Sequence, residues 1–286
     1  MSNNNIFNNI DLHSHSLFSD GVLSPSDVAK RAKSHHVTMW ALSDHDCVDG
    51  LAEAQQAAEN FAIGKFVPGV EISIEWNDVA IHIVGLNIDY QNETLKNGVK
   101  SIRDGRFARA ERMSKELEKV GIHGVLDGAL KLCKNPNQIS RAHFARFMVS
   151  QGVAKTTSQI FENYLVPGKP GYVDHKWASL EDSINWIHNA GGLAVLAHPG
   201  RYKVSGTAIL RLCADFKDLG GDAIEAGSGS HSNEQIRSYT TLANYLGLAV
   251  SCGSDFHSPK ESKVDIGNAP KIPPELKHQG IWEKLL

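Results

Sequence analysis

The 286-residue chain carries 14 histidines, and they fall in short clusters with carboxylates. His13-Ser14-His15 and Asp255-Phe256-His257 each place two possible metal ligands at i and i+2. On a strand that spacing points both side chains to one face, so His13 and His15 can chelate one ion. Five further clusters read Ser19-Asp20-Gly21, Ser43-Asp44-His45-Asp46, Gly69-Val70-Glu71, Ile81-His82-Ile83 and Ala197-His198-Pro199-Gly200. Imidazole mixed with carboxylate suits Zn²⁺, Mn²⁺ or Fe²⁺, whereas Ca²⁺ and Mg²⁺ want mostly oxygen ligands. A glutamate between two ions can bridge them, and Glu71 is the candidate. Ions about 3.5–4 Å apart polarise a phosphoryl group and acidify a bound water, so the expected reaction is phosphate-ester hydrolysis. Taken singly, His82 reads more readily as a half-buried strand residue than as a ligand, and Asp20 equally as turn chemistry beside Gly21. Taken jointly, the clusters resist a packing explanation, because buried imidazoles and carboxylates are costly unless paired or metal-bound.

Something must gather residues that lie up to 240 positions apart. Short apolar runs alternate with amphipathic stretches, the pattern of an α/β chain with parallel strands. Candidate strands are Ile10–Leu12, Thr38–Leu42, Lys65–Val70, Val79–Gly85, Gly192–Ala197, Ala223–Glu225 and Leu248–Ser251. Nearly all run into a polar cluster, and in a parallel barrel the carboxyl ends of the strands share one rim. Helix starts are marked by Ser24-Pro25-Ser26-Asp27, Ser179-Leu180-Glu181-Asp182 and Ser232-Asn233-Glu234-Gln235. Gly191 and Gly247 stand where helix ends call for a left-handed residue. Between about Gln91 and Asp174 the alternation stops, and helices are expected over 95–120, 124–133 and 139–164. The expected organisation is a first barrel part at 1–90, a helical insertion covering the site at 91–174, and a second barrel part at 175–286. A proline-containing loop then leads to a short terminal helix near Ile281.

The formal net charge of −3 argues against a broad basic surface for wrapping nucleic acid, while leaving room for a local cationic pocket. No run of about 18 apolar residues predicts a membrane span. The start MSNNNIFNN has neither the basic region nor the apolar stretch of a signal peptide and reads as a disordered lead-in. Cys47, Cys133, Cys213 and Cys252 form no CxxC pair, which points to buried thiols in a reducing cytoplasm. No obligate protein partner is evident.

DLHSHSLFSDG, SDHD, GVEIS, IHIVG, AHPGRY and GSDFH, in this order from position 11 to 257, resemble the successive motifs of the PHP (polymerase and histidinol phosphatase) family. The resemblance implies a distorted (β/α)7 TIM-like barrel with a trinuclear site. It assigns one ion to His13, His15, Glu71 and Asp255, a second to Asp20, His45 and His257, and a third to Glu71, His82 and His198. Two or three divalent ions are expected, Mn²⁺ first, with Fe²⁺ or Zn²⁺ as alternatives. The catalytic agent would be a metal-bound water held by His13, His15, Glu71 and Asp255. The insertion, with ISRAHFA, GKPGYV and SGSH, looks most like the nucleotide-directed branch of 3',5'-nucleoside bisphosphate phosphatases and the exoribonuclease called ribonuclease AM. The expected substrate is therefore a nucleotide or the 5' end of a short single-stranded RNA.

A phosphate substrate also needs cationic donors. Candidates are Arg141 and His143 in the insertion, Lys169 in a glycine-proline turn, Arg201 three residues after His198, and His231 closing Ser228-Gly229-Ser230. Arg103, Arg106, Arg109 and Arg112 recur every third residue, each lagging the last by roughly 60°, so a solvated helical face is their default reading, while adjacent members could still line a nucleotide cleft and Arg106 and Arg109 match the pattern of the branch it resembles. Phe144, Phe147 and Tyr164 read equally as base platforms or core. Two rivals remain. An amidohydrolase would want a bridging lysine where Glu71 stands, and a non-catalytic binding module would be expected to have lost ligands.

Overall fold

All seven apolar runs form strands: β1 (Ile10–Asp11), β2 (Met39–Leu42), β3 (Lys65–Trp76), β4 (Val79–Leu86), β5 (Leu193–Leu196), β6 (Ala223–Ser228) and β7 (Ala249–Gly253). The computed structural model describes residues 8–276 and 278–286, so most of the expected lead-in lies outside the described residues. The strands pair in sequence order from β1 to β7. The Leu12 amide donating to Cys252 O and the Asp255 amide donating to His13 O tie the two ends, nearly closing a barrel.

Pairing is parallel except around β4, which runs antiparallel to both β3 and β5. That departs from the all-parallel expectation, and β3 is six residues longer than read. The cause is a two-residue hairpin at Asn77-Asp78, both with positive φ (48° and 62°), the twist that tight hairpins require. Running backwards, β4 brings His82 to the site from mid-strand rather than from a strand end.

Both faces of most strands are buried, which is why they read as apolar runs rather than alternating ones. Met39, Ala41, Val84, Val195 and Ala223 fill the barrel interior, closed beneath by Ile281 and Leu285 of the C-terminal 3₁₀ turn. Trp40, Leu42, Ile72, Ile83 and Leu196 face the helical layer. That layer holds α1 (Pro25–Ser34) and α2 (Leu51–Asn60), each following a strand. Ser24, as expected, caps α1 by accepting from the Asp27 amide.

The region 91–174 holds α3 (Glu93–Arg103), α4 (Arg106–Glu118), α5 (Val125–Leu130), α6 (Arg141–Ser150) and α7 (Thr157–Ile160). The single helix expected over 95–120 breaks at Asp104-Gly105, where a Cβ on Gly105 would lie 2.6 Å from His175 Cε1. The break separates two cores. Leu95, Val99 and Ile102 of α3 join the barrel's helical layer. From α4 onward a second cluster forms around Met113, Leu117, Phe144 and Met148. The chain returns through α8 (Leu180–Asn189), α9 (Gly206–Asp218) and α10 (Asn233–Leu246), capped by Ser179, Ser205 and Ser232. Gly247 ends α10 at φ 68°, as its position predicts.

Candidate metal centre

The rim of the barrel gathers all nine expected ligands into one buried knot. His13 Nε2 and His15 Nε2 stand 3.1 Å apart. Glu71 Oε2 lies 3.3 and 3.2 Å from them, and Asp255 Oδ1 3.5 and 3.2 Å. Asp20 Oδ1 lies 3.2 Å from His257 Nε2 and 3.9 Å from His45 Nε2. The other Glu71 oxygen meets His82 Nδ1 at 2.8 Å and His198 Nε2 at 2.9 Å. Three groups each bring their donor atoms within 4.8 Å of one another: His13, His15, Glu71 and Asp255; His15, Asp20, His45 and His257; and His45, Glu71 and His82. His15 and His45 thus stand between groups that the sequence kept apart.

These donors fit divalent ions better than they fit one another. Among the described residues, Asp20 Oδ1, Glu71 Oε2 and Asp255 Oδ1, all facing the knot, are buried without a hydrogen-bond partner. Around a common ion at about 2.1 Å, neighbouring ligands lie roughly 3.0–3.4 Å apart, and the contacts of His13 with His15 and Glu71, of His15 with Glu71 and Asp255, and of Asp20 with His257 fall in that range.

Charge balance supports the same reading. Burial opposes ionisation of Glu71, yet the imidazoles of His45, His82 and His13 hold its carboxyl well below the usual carboxylate range. Burial likewise opposes ionisation of Asp255, but Arg201, His13 and His257 keep it low. Burial pushes His15 down, and the Asp255 and Glu71 carboxylates, each 3.2 Å away, more than offset it, lifting the ring to about 10. His82 is pushed down to about 4 by burial, which Glu71 only partly opposes, and it stays neutral.

Strand-end backbone is bent to aim these groups. Asp46, His198 and Asp255 take positive φ (47°, 27° and 55°), a strained region that clusters at functional sites. Asp46 follows His45 and accepts from the Ser73 amide at 2.7 Å while pairing with Arg106, pinning β3 beside Glu71. Gly253 has no room for a side chain: a Cβ would sit 2.2 Å from that of His13.

A cavity of about 400 Å³ opens over the knot, lined on the barrel side by Asp20, His45, His82, Asp255 and His257. Its opposite wall comes from the insertion and carries Arg106, Arg109, Arg141, Arg146 and Phe161. Arg141 and Arg201 line the cavity as expected, Arg201 paired with Asp255. The other three expected substrate contacts lie elsewhere. Lys169 is exposed and outside the cavity lining. His143 is buried, its Nδ1 accepting the Ser140 amide at 3.1 Å in a capping box at the start of α6. His231 spends both nitrogens on backbone, Nδ1 on Ala226 O at 2.9 Å and Nε2 on the Gly200 amide at 3.0 Å. His231 looks like a substrate contact only while its backbone partners are unknown, whereas His143 commits only Nδ1 to the cap.

The cavity also contains residues the sequence reading passed over or misassigned. Arg106 and Arg109 are only 6% exposed and line the cavity, so for these two the cleft-lining alternative holds and the solvated face does not. They flank the Trp177 ring at 5.2 and 5.4 Å, a residue distant in sequence. Arg146 reaches the Asp20 carbonyl and Glu261, docking α6 onto the rim. Phe144, Phe147 and Tyr164 belong to the insertion core, while Phe161 and Trp177 face the cavity.

The PHP domain family matches residues 11–188. This chain belongs to the PHP family. It is 50% identical over 277 residues to a 3',5'-nucleoside bisphosphate phosphatase of Chromobacterium violaceum, covering 97% of this chain and 96% of the relative. It is 38% identical over 284 residues to the 5'-3' exoribonuclease Rnm of Escherichia coli, covering 99% and 96%. A solved C. violaceum structure, described as an amidohydrolase with bound sulfate and no metal, superposes with a TM-score of 0.93 at 49% identity over 97% of this chain and 95% of that one. A protein of Bifidobacterium adolescentis, assigned as a metal-dependent phosphoesterase, superposes at 0.82 with 28% identity over 92% of each. The chain is a metal-dependent phosphoesterase on a seven-stranded PHP barrel.

Proposed function

We propose that this PHP enzyme removes the 3'-phosphate of 3',5'-nucleoside bisphosphates, using ions held by His13, His15, Asp20, His45, Glu71, His82, His198, Asp255 and His257. The observation that carries the reading is the pairing of two sites in one cavity: the ligand knot on one wall and unneutralised arginines on the other. Arg109 and Arg141 have no ion-pair partner among the described residues; their recorded hydrogen bonds go to the carbonyls of Val173 and Leu165. Burial, then mutual repulsion with the neighbouring arginines, pushes Arg109 down to about 9, so a dianion is the missing partner. A nucleotide with two phosphates spans such a cavity, one phosphate at the knot and one under Arg109 and Arg141.

Bound ions, with Mn²⁺ first, supply Lewis-acid polarisation and an activated water. The protein's own groups do the rest. Arg109 and Arg141 hold the distal phosphate, and Arg201, beside Asp255, neutralises charge developing on the transferred phosphoryl group. The insertion wall, docked by Arg146 and Arg106, limits entry to small or single-stranded substrates. A second reading, 5'-to-3' exoribonuclease action on short 5'-phosphorylated RNA, is favoured by the exoribonuclease relatives at 38–40% identity. There the arginines would hold a terminal phosphate while the knot meets the first diester bond. The four unpaired thiols support a reducing, cytoplasmic setting. Among the described residues no helix is long and apolar enough to cross a membrane.

The test is one panel with Mn²⁺: 3',5'-bisphosphoadenosine, 3'-AMP, 5'-AMP, histidinol phosphate and a 5'-phosphorylated RNA oligonucleotide. Phosphate release from the bisphosphate at a kcat/KM at least about tenfold above 3'-AMP is expected. Mononucleotide release from the RNA end at higher efficiency would transfer the assignment to the exonuclease. Turnover of histidinol phosphate alone would overturn both readings.

A further inference from the structure

Glu225, on β6, is 2% exposed and lies behind the ligand knot. Its Oε2 sits 3.1 Å from His13 Nδ1 and accepts the His198 backbone amide at 2.8 Å. It is not a ligand. The other donors meet His13 at Nε2, the opposite edge of the ring, and Glu225 stands at Nδ1. With a carboxylate there the proton belongs on Nδ1, which leaves the Nε2 lone pair free for an ion.

The same oxygen reaches a second strand. His198 follows β5 with φ 27° and ψ 56°, a conformation that non-glycine residues adopt only under constraint. Its amide is held by Glu225, and two residues on the Gly200 amide is held by His231. Both restraints originate at one irregularity in β6. The β6–β7 register shifts between Glu225 and Gly227, freeing Ala226 O to accept from His231. Gly227 is required there, because a Cβ would meet Pro270 O at 2.6 Å. Bulges beside active sites re-aim side chains in this way.

A purely structural role does not explain a charge at this place. Both hydrogen bonds need only an acceptor, which a neutral amide supplies. Glu225 Oε1 is nonetheless buried without a partner among the described residues, a costly arrangement for a carboxylate. The negative charge is useful where cations gather, behind a ligand whose basicity it raises.

We infer that Glu225 is a positioning residue of the metal centre: one carboxylate oxygen sets the tautomer of His13 and holds the strained turn that carries His198. The inference rests on the metal-centre reading above. The test is Mn²⁺ titration of wild type, Glu225→Gln and Glu225→Ala, with thermal melts of each ion-free protein. Glu225→Gln should keep its ion-free melting temperature and bind the ion at His13 roughly 10–100-fold more weakly, with Glu225→Ala weaker still. Wild-type affinity in Glu225→Gln would overturn the role, as would an ion-free melt that falls in step with affinity. Because the variants alter a buried position, ¹⁵N NMR of the histidines in wild type loaded with diamagnetic Zn²⁺ gives an independent reading. A proton on His13 Nδ1 is expected, and His13 ligated through Nδ1 would overturn the inference without any variant. A wild type that binds no ions at all would instead refute the metal centre itself.

Discussion

Arg109→Met separates function from folding because the two should move in opposite directions. Methionine keeps much of the stem and removes the charge. At its folded value of about 9, the buried Arg109 guanidinium is about 5 kcal/mol less favourable to charge than in the unfolded chain. The substitution forfeits the bond to Val173 O at 2.8 Å, worth about 1.5 kcal/mol, and the stack on Trp177, worth about the same. About 2 kcal/mol of net stabilisation remains, a rise of roughly 4–8 °C in the melting temperature of ligand-free protein. Activity should fall meanwhile. A charged hydrogen bond to phosphate contributes about 1.5–3 kcal/mol, so kcat/KM on 3',5'-bisphosphoadenosine drops roughly 10–150-fold. On 3'-AMP, which lacks the distal phosphate, it should change by less than about threefold. The paired assay is a thermal melt in phosphate-free buffer beside steady-state kinetics on both substrates. A variant less stable than wild type, or one equally impaired on both substrates, would refute the anion-site reasoning.

Three further outcomes follow from the same geometry. Gly253→Ala should lose at least one bound ion and more than about 100-fold of activity, because its new Cβ would occupy the place of His13 Cβ; full metal content by elemental analysis would contradict this. Loading the centre at pH 7 should release protons, since His15, raised to about 10 without ions, must ligate as the neutral ring. Apparent Mn²⁺ affinity should therefore rise with pH, and calorimetry in buffers of different ionisation enthalpy that finds no proton release would exclude His15 as a ligand. His143 is pushed down to about 4 by burial, below its unfolded value. The unfolded chain takes up that proton first as pH falls, so about 3 kcal/mol of stability is lost between pH 6.5 and 4. Glutamine is a natural capping-box partner, and His143→Gln should keep the cap yet flatten the melting curve over that window; an unchanged slope would show that His143 does not titrate there.

Much of the molecule is legible without coordinates. The seven strands show as apolar runs because both faces are buried, and the ligands show because strand ends carry polar clusters that packing does not explain. His13 and His15 are legible from spacing alone, since the two-residue period of a strand is local physics. Serine caps and Gly247 are local too. β4 is misread as parallel because strand direction depends on the turn before it, and Asn77-Asp78 is a weaker hairpin signal than Asn-Gly. Phe161 and Arg146 reach the cavity through docking of the helical region 91–174, and Trp177 through the segment that follows it, which no periodicity records.

Glu225 marks the boundary most clearly. It closes the apolar run Ala223–Glu225 with a carboxylate, the same signal that betrays Glu71 after Lys65–Val70, and its sequence neighbours are silent about its role. The amino-acid order determines which residues can ligate an ion and which face of a strand they share. Only the closed barrel decides that Glu225 stands behind His13, that His231 Nε2 is spent on the Gly200 amide, and that Arg109 and Arg141 lack a counterion. Those facts are distances between residues far apart in the chain, set by how the strands close and the insertion docks.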